Sequence, residues 1–245
     1  MSGYFKHIPN IGYDFKSDGN IAVAKDLFKK VQIFPYLQQS ISGYEYYQVM
    51  DGERPDILAN KLYGDSTLYW TFFLVNENLQ DFNDWPKSNS LLKKFIDRKY
   101  PGTILIGSAS TDIVSYNHDT NVSSKFLLGE KVSISNGAFG FVTKVDPTFN
   151  RIVVNSVNGS FANDFVVTGE KSNKSFTISS VSLEKVVTRH YLDSNGLLTN
   201  SSSGNTPVSF EEHEILKNNE KQQIRYIQPK YISQVVKQFK EIIRD

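Results

Sequence analysis

Hydrophobic positions are most regular at the C-terminal end of the chain. In "PKYISQVVKQFKEIIRD", Ile232, Val235, Val236, Phe239, Ile242 and Ile243 form one apolar stripe opposite Lys237, Lys240, Glu241 and Arg244, which predicts an amphipathic helix over 231–244. "NSLLKKFIDRKYPG" carries Leu91, Leu92, Phe95, Ile96 and Tyr100 at the same spacing, with Ser88 or Asn89 able to cap the helix and Pro101-Gly102 ending it. A third stretch, "RPDILANKLYGDSTLYWTFFLVNEN", places Pro55 at a helix start and breaks at Tyr63-Gly64-Asp65. It then runs through Trp70, Phe72, Phe73, Leu74 and Val75 with almost no polar face. A helix apolar nearly all round must be covered on several sides. Trp70 is therefore either core of a small helix pair or part of a binding face.

Between residues 103 and 186 the period changes. Turn signals recur at Asn136-Gly137, Asp146-Pro147, Asn158-Gly159 and Gly169, and between them lie "KVSIS", "FGFVTKV", "RIVVNSV", "DFVVTG" and "SFTISSVS". These runs predict five short strands closing on Phe139, Phe141, Val153, Phe165 and Ile178, a barrel of SH3-like or OB-like size. Composition shifts with the period. All 13 Tyr lie at or before Tyr116 or at or after Tyr191, and between residues 123 and 186 the only aromatic type is Phe. The segment reads as an insert. Beyond it, "TRHYLDSNGLLTN" predicts a hairpin turning at Asn195-Gly196, followed by the polar loop "SSSGNTP". The fold class is α+β, in four parts: an extended N-terminal arm (1–43), a mixed module with its following helix (44–102), the inserted barrel (103–186), and a hairpin with the terminal helix (187–245).

Bulk composition narrows the function classes. Of 245 residues, 39% are hydrophobic and 22% charged, and the net charge is +1. Phosphate binding needs a clustered basic excess, so nucleic acid is not an expected partner. The lysines of the barrel segment are scattered, and its phenylalanines are expected to point inward, which argues against an exposed single-strand groove. Cysteine is absent, which excludes disulfides and thiolate metal sites. The start lacks the apolar core of a signal peptide, and no run reaches transmembrane length, so no membrane is expected. Aromatic content is high, at 13%. Such side chains favour interfaces as well as cores.

From Tyr47, "YQVMDGERPDILANKLYGDSTLYWTFFLVNEN" resembles a LysM module: a short strand at Tyr47 to Met50, a turn at Asp51-Gly52, a helix opening at Pro55, a stop at Gly64, a second helix capped by Asp65 or Ser66 and centred on Trp70, and Asn76 with Asn78 at its close. "ERPD" replaces the family's usual Thr-Leu, and its closing strand does not follow Asn78. Taken together, "YFKHIPNIGYDF", "DGERPDILANKLYGD" with the Trp helix, "NDWPKS" and "NNEKQQIRYIQPKYISQVVKQF" resemble the LysM-like baseplate wedge subunit of contractile-tailed bacteriophages. The resemblance covers residues 1–100 and roughly 186–245. It implies a non-enzymatic virion protein assembled in the host cytoplasm. Six copies would join neighbouring wedges through other baseplate wedge proteins, without cofactor or small-molecule substrate. The alternative is a LysM-type peptidoglycan binder at the tail tip, using Asn76 and Asn78. The insert could also meet a tail fibre or a host component.

Candidate interaction residues each carry two readings. Arg54 either forms a bidentate pair with a partner carboxylate or pairs within its own turn, with Asp51, Glu53 or Asp56. Trp85-Pro86 is an apolar wedge, either core or contact anchor. Tyr231 and Phe239, with the rest of the terminal stripe, either cap the chain's own core or dock on another subunit. With the arm, whose aromatics show little repeat, that helix is expected to embrace partners. Catalytic patterns are absent. His7, His118, His190 and His213 fall in four separate segments, and neither a second zinc-protease His nor a Gly-x-Ser-x-Gly elbow occurs.

Overall fold

The computed structural model describes residues 8–26, 43–107, 126–147, 149–201 and 204–243. The chain divides into two compact units, Met1–Ser90 with Lys217–Asp245, and Leu91–Leu216. In the first unit, residues expected within an extended arm form a hairpin instead. Strands β1 (Asn10–Tyr13) and β2 (Ala22–Lys25) pair antiparallel from Asn10↔Lys25 to Tyr13↔Ala22. Asp14 shapes the loop between them. Its carboxylate accepts backbone N–H bonds from Gly19, Lys16 and Asp18, which hold its pKa below the usual carboxylate value.

Strand β3 (Tyr44–Gln48) lies earlier than the predicted Tyr47–Met50, because its extent is set by a partner strand far along the chain. Helix α1 (Pro55–Tyr63) starts with Pro55 at its first positions and stops at Gly64, whose φ of 71° is left-handed and whose N–H donates to the Asn60 carbonyl at 2.9 Å. The following apolar run is not one helix. Asp65 caps a 3₁₀ turn (Ser66–Tyr69) by accepting from the Thr67 N–H at 2.8 Å, and only then does the short helix α2 (Trp70–Val75) begin. Why α2 lacks a polar face is now plain. Trp70, Phe72 and Val75 are buried in three different clusters of the same unit, so α2 is covered on three sides by its own chain.

The second unit contains most of α3 (Asn89–Lys99), the helix predicted from periodicity. Next comes β4 (Thr103–Gly107), then β5 (Lys131–Ser133), β6 (Phe139–Asp146), β7 (Arg151–Asn158), β8 (Val166–Gly169) and β9 (Ser175–Leu183). They form a closed barrel in the order β4-β7-β6-β5-β8-β9. The barrel has six strands, not five. "TILIG" was not read as a strand because Ile104 and Leu105 are both buried, so β4 shows no alternation.

Parity was also misread in β6. Gly140 and Val142 are buried, whereas Phe139 is half-buried and Phe141 is 40% exposed, so this part of β6 alternates in the phase opposite to the one expected. The barrel core is built from residues such as Leu105, Val132, Val142, Ile152, Val154, Val167, Phe176 and Ile178. Phe165 is partly buried against it, and Val153 is buried outside this cluster.

After the barrel, β10 (Thr188–Leu192), β11 (Leu198–Thr199) and β12 (Thr206–Ser209) form a three-stranded sheet with β10 central. Helix α4 (Phe210–Gln222) follows, and periodicity had not predicted it. A reciprocal cap starts it: the Ser209 N–H donates to Glu212 Oε2 at 2.8 Å, and the Glu212 N–H donates to Ser209 Oγ at 3.1 Å. The chain then returns to the first unit as β13 (Gln223–Ile227) and α5 (Pro229–Ile242). Strand β13 pairs antiparallel with β3 from Gln223↔Gln48 to Ile227↔Tyr44. Arg244, expected on the polar face of α5, lies outside the described residues.

Candidate functional site

Several of the residues offered by the sequence as an interaction motif lie in the first unit around Glu53 and the turn at Gly52. Trp85 is buried; its indole N–H donates to the Glu53 carbonyl at 2.8 Å, and its ring packs against Phe72 and Phe73, with centroids 5.9 Å away in each case. Pro86 and Pro55 are buried beside other core positions of their segments. The Glu53 carboxylate accepts from the Met50 N–H and the Tyr47 hydroxyl, and Lys61 donates to that hydroxyl at 2.7 Å. Asp51 accepts the Asn89 N–H at 2.7 Å and so tethers the start of α3 to the turn at Gly52. Arg54 pairs within its own turn, with both Asp56 oxygens at 3.0 and 2.9 Å. That pair is exposed and contributes little to stability.

Asn76 has the most specific role. Its side-chain amide is buried and donates to the carbonyls of Phe72 and Arg225, both at 2.8 Å, while its Oδ1 accepts the Arg225 N–H at 2.8 Å. It therefore clamps the end of α2 to β13, 149 positions later in the chain. Asn78 is exposed and is not part of the clamp. Tyr63 stacks on Phe72 at 5.9 Å, and burial pushes its hydroxyl up to about 12.

Trp70 and Phe239 meet at 4.3 Å in a cluster with Ile8 and Ile243. Tyr231 packs with Ile227, Ile232 and Val235. The stripe on α5 is thus turned onto its own unit through Ile232, Val235, Phe239 and Ile243.

Residues 3–122 match the family described as Base plate wedge protein 53. The similarity is to a phage baseplate wedge family. Over 77 residues the chain is 29% identical to baseplate wedge protein gp53 of Enterobacteria phage T4; these residues are 31% of this chain and 38% of that protein. The aligned stretch therefore spans well under half of the T4 protein. Together the matches support a baseplate wedge protein of a phage, located in the tail baseplate of the virion. The family match takes in the hairpin, α1, α2, Asn76 and Trp85; strands β5 to β9 and everything after them, Arg225 included, lie beyond it.

In the second unit the fold brings together groups that the sequence had left apart. Glu214 Oε1 accepts from the Tyr100 hydroxyl at 2.7 Å and from Lys99 Nζ at 2.9 Å. Burial raises the Glu214 pKa, but these two bonds outweigh it and hold the group below its ordinary value. The rings of His190 and His213 meet edge-on at 5.4 Å. Without α4 in the prediction, neither Glu214 nor this His pair could be placed. His7 and His118 lie outside the described residues.

Burial and the Arg189 charge lower the His190 pKa. The fold thus favours the neutral ring, and as pH falls through about 6.5 the unfolded chain takes up the proton first. The His190 contribution to stability is complete above that pH and is lost towards the lower folded value. The Glu214 contribution is present above its unfolded value and is lost at still lower pH. Thermal midpoints are expected to fall from pH 7.5 to pH 5.5, with a smaller fall in His190→Gln. An equal fall in the variant would show that His190 is not responsible.

Among the described residues, no three His, Asp or Glu side chains are grouped so as to hold a metal ion, and no helix is long and apolar enough to cross a membrane.

Proposed function

We propose that this chain is a structural subunit of a phage baseplate wedge, built on a LysM-like scaffold, that binds adjacent wedge subunits and joins neighbouring wedges during assembly. Six copies would serve one baseplate. The family match over residues 3–122 carries this reading. Its scaffold element rests on the order strand, helix, Gly64 stop, short helix and second strand, with β3 and β13 paired antiparallel. Polar motif residues are spent inside the module: Asn76 clamps β13, and the Trp85 N–H reaches Glu53. Exposed apolar side chains remain, among them Tyr46, Met50, Ile57 and Phe82, and these suit contact with protein. Glycan binding through Asn76 would require that amide to abandon three internal hydrogen bonds.

The test is binding of the full chain to a purified wedge subassembly of the same phage lacking it, beside a pulldown on peptidoglycan. Stable association with the subassembly and no retention on peptidoglycan are expected. Retention that disappears in Asn78→Ala, with no binding to the subassembly, would overturn the proposal. Asn76→Ala is unsuitable for this purpose because it damages the fold.

A further inference from the structure

We propose that the β1–β2 hairpin is an insertion tongue that seats in a cleft of a neighbouring wedge protein, with apolar walls on both sides. The inference rests on the wedge reading above and adds the surface and the shape of its partner. Its basis is strand parity. Gly12 lies opposite Val23, and a Cβ on Gly12 would come within 2.7 Å of Ile21 Cγ2, so Val23 and Ile21 share one face and Gly12 leaves room for the isoleucine. Tyr13 lies opposite Ala22 on the other face, and Phe15 packs edge-on to it at 4.8 Å.

Both faces are apolar and uncovered: Ile21 is 73% and Val23 77% exposed, Tyr13 49% and Phe15 67%. A two-stranded hairpin is marginal in water by itself. This one is fixed at its root. Ile8 is buried with Trp70, Phe239 and Ile243, Lys25 Nζ donates to the Ile8 carbonyl at 2.7 Å, and the Asp26 N–H donates to the Pro9 carbonyl at 3.0 Å. The tip is polar, with Asp14, Lys16 and Asp18 around the carboxylate-capped loop.

Area decides the occupant. At about 200 Å² per large side chain, the four residues offer roughly 530 Å², somewhat more of it on the Ile21–Val23 face. A second copy laid on one face would cover about half of that and would leave the other face in water. Pairing along a strand edge would cover neither face. A cleft covers both at once and leaves the charged tip free to reach solvent beyond it.

The test uses two double variants of the full chain, one for each face: Ile21→Ser with Val23→Ser, and Tyr13→Ser with Phe15→Ser. Each should leave the thermal midpoint of the isolated chain within about 2 °C of wild type and its mass unchanged, because exposed side chains contribute little to folding. Each should raise Kd for the purified wedge subassembly by about 10-fold or more, and the combined variant by about 100-fold. A control pair on the second unit, Leu197→Ser with Leu198→Ser, should bind as wild type.

Loss from one face alone would mean flat docking and overturn the cleft. A lowered midpoint in the isolated chain would mean that its own residues cover the hairpin. Wild-type self-association abolished by either variant would make a second copy the occupant. If all variants bind as wild type, the tongue falls and the wedge reading stands; if wild type itself does not bind, both fall.

Discussion

Trp70→Ala is expected to unfold the first unit, not to yield a folded chain that fails to assemble. The indole is 4% exposed and packs against Phe239 at 4.3 Å, with Ile8 and Ile243 completing the cluster. It thereby joins α2 to the terminal helix and to the root of the hairpin, three segments that approach one another only in the tertiary structure. Replacing a buried Trp with Ala costs about 3–5 kcal/mol, through lost transfer energy and the cavity left behind. Against a total of about 5–15 kcal/mol for a domain, that is a large share. The thermal midpoint of this unit should drop by more than about 10 °C. An exposed contact residue would cost within about 0.5 kcal/mol. A Trp70→Ala chain with a wild-type melting curve and no binding to the wedge subassembly would make the residue an interface anchor and refute the assignment to core.

What was legible in the sequence followed local signals. The stripe from Ile232 to Ile243 and the repeat from Leu91 to Tyr100 encode helices that the structure contains, and Pro55 and Gly64 mark the ends of α1 where backbone geometry demands them. Five barrel strands could be read because Asn-Gly and Pro turns punctuate alternating runs. The sixth could not, because Ile104 and Leu105 are covered on both faces and leave no alternation to detect. Phe139 and Phe141 suit the inward face by their hydrophobicity, but Gly140 and Val142 take it, because alternation fixes the period of a strand and not which of its two faces meets the core.

Helix α4 has few buried positions and hence little period, although Ser209 and Glu212 carried its start in plain view. The strand that completes the sheet with β3 was the least legible of all. "QIRYI" is short, and what makes it the partner of "YEYYQ" is a long-range pairing with no local trace. The candidate site shared this limit. Asn76 stood out by its place at the close of the second helix, but its partner Arg225 is in a segment whose place could not be known.

That clamp yields the second large effect. Asn76→Ala should destabilise the first unit by about 2–4 kcal/mol, because it strands an amide N–H and a carbonyl of Arg225 at the junction of α2 and β13, each unsatisfied group costing roughly 1–3 kcal/mol. Asn76→Asp tests the mechanism more sharply. It keeps the shape and the acceptor for the Arg225 N–H, but it replaces a donor to two carbonyls with a carboxylate oxygen facing them. The ionised form is therefore disfavoured in the fold, the folded pKa of the new aspartate is raised, and the penalty grows as pH rises through about 3.9. At pH 7 the Asp variant should be less stable than the Ala variant. Towards pH 4 the gap should narrow or reverse, since a protonated carboxyl can donate to one of the carbonyls. Melting curves of both variants across that range give the answer, read as the difference between them so that other carboxylates cancel. If Asn76→Asp matches wild type at pH 7, the amide is not acting as a donor, and α2 is joined to β13 by packing alone.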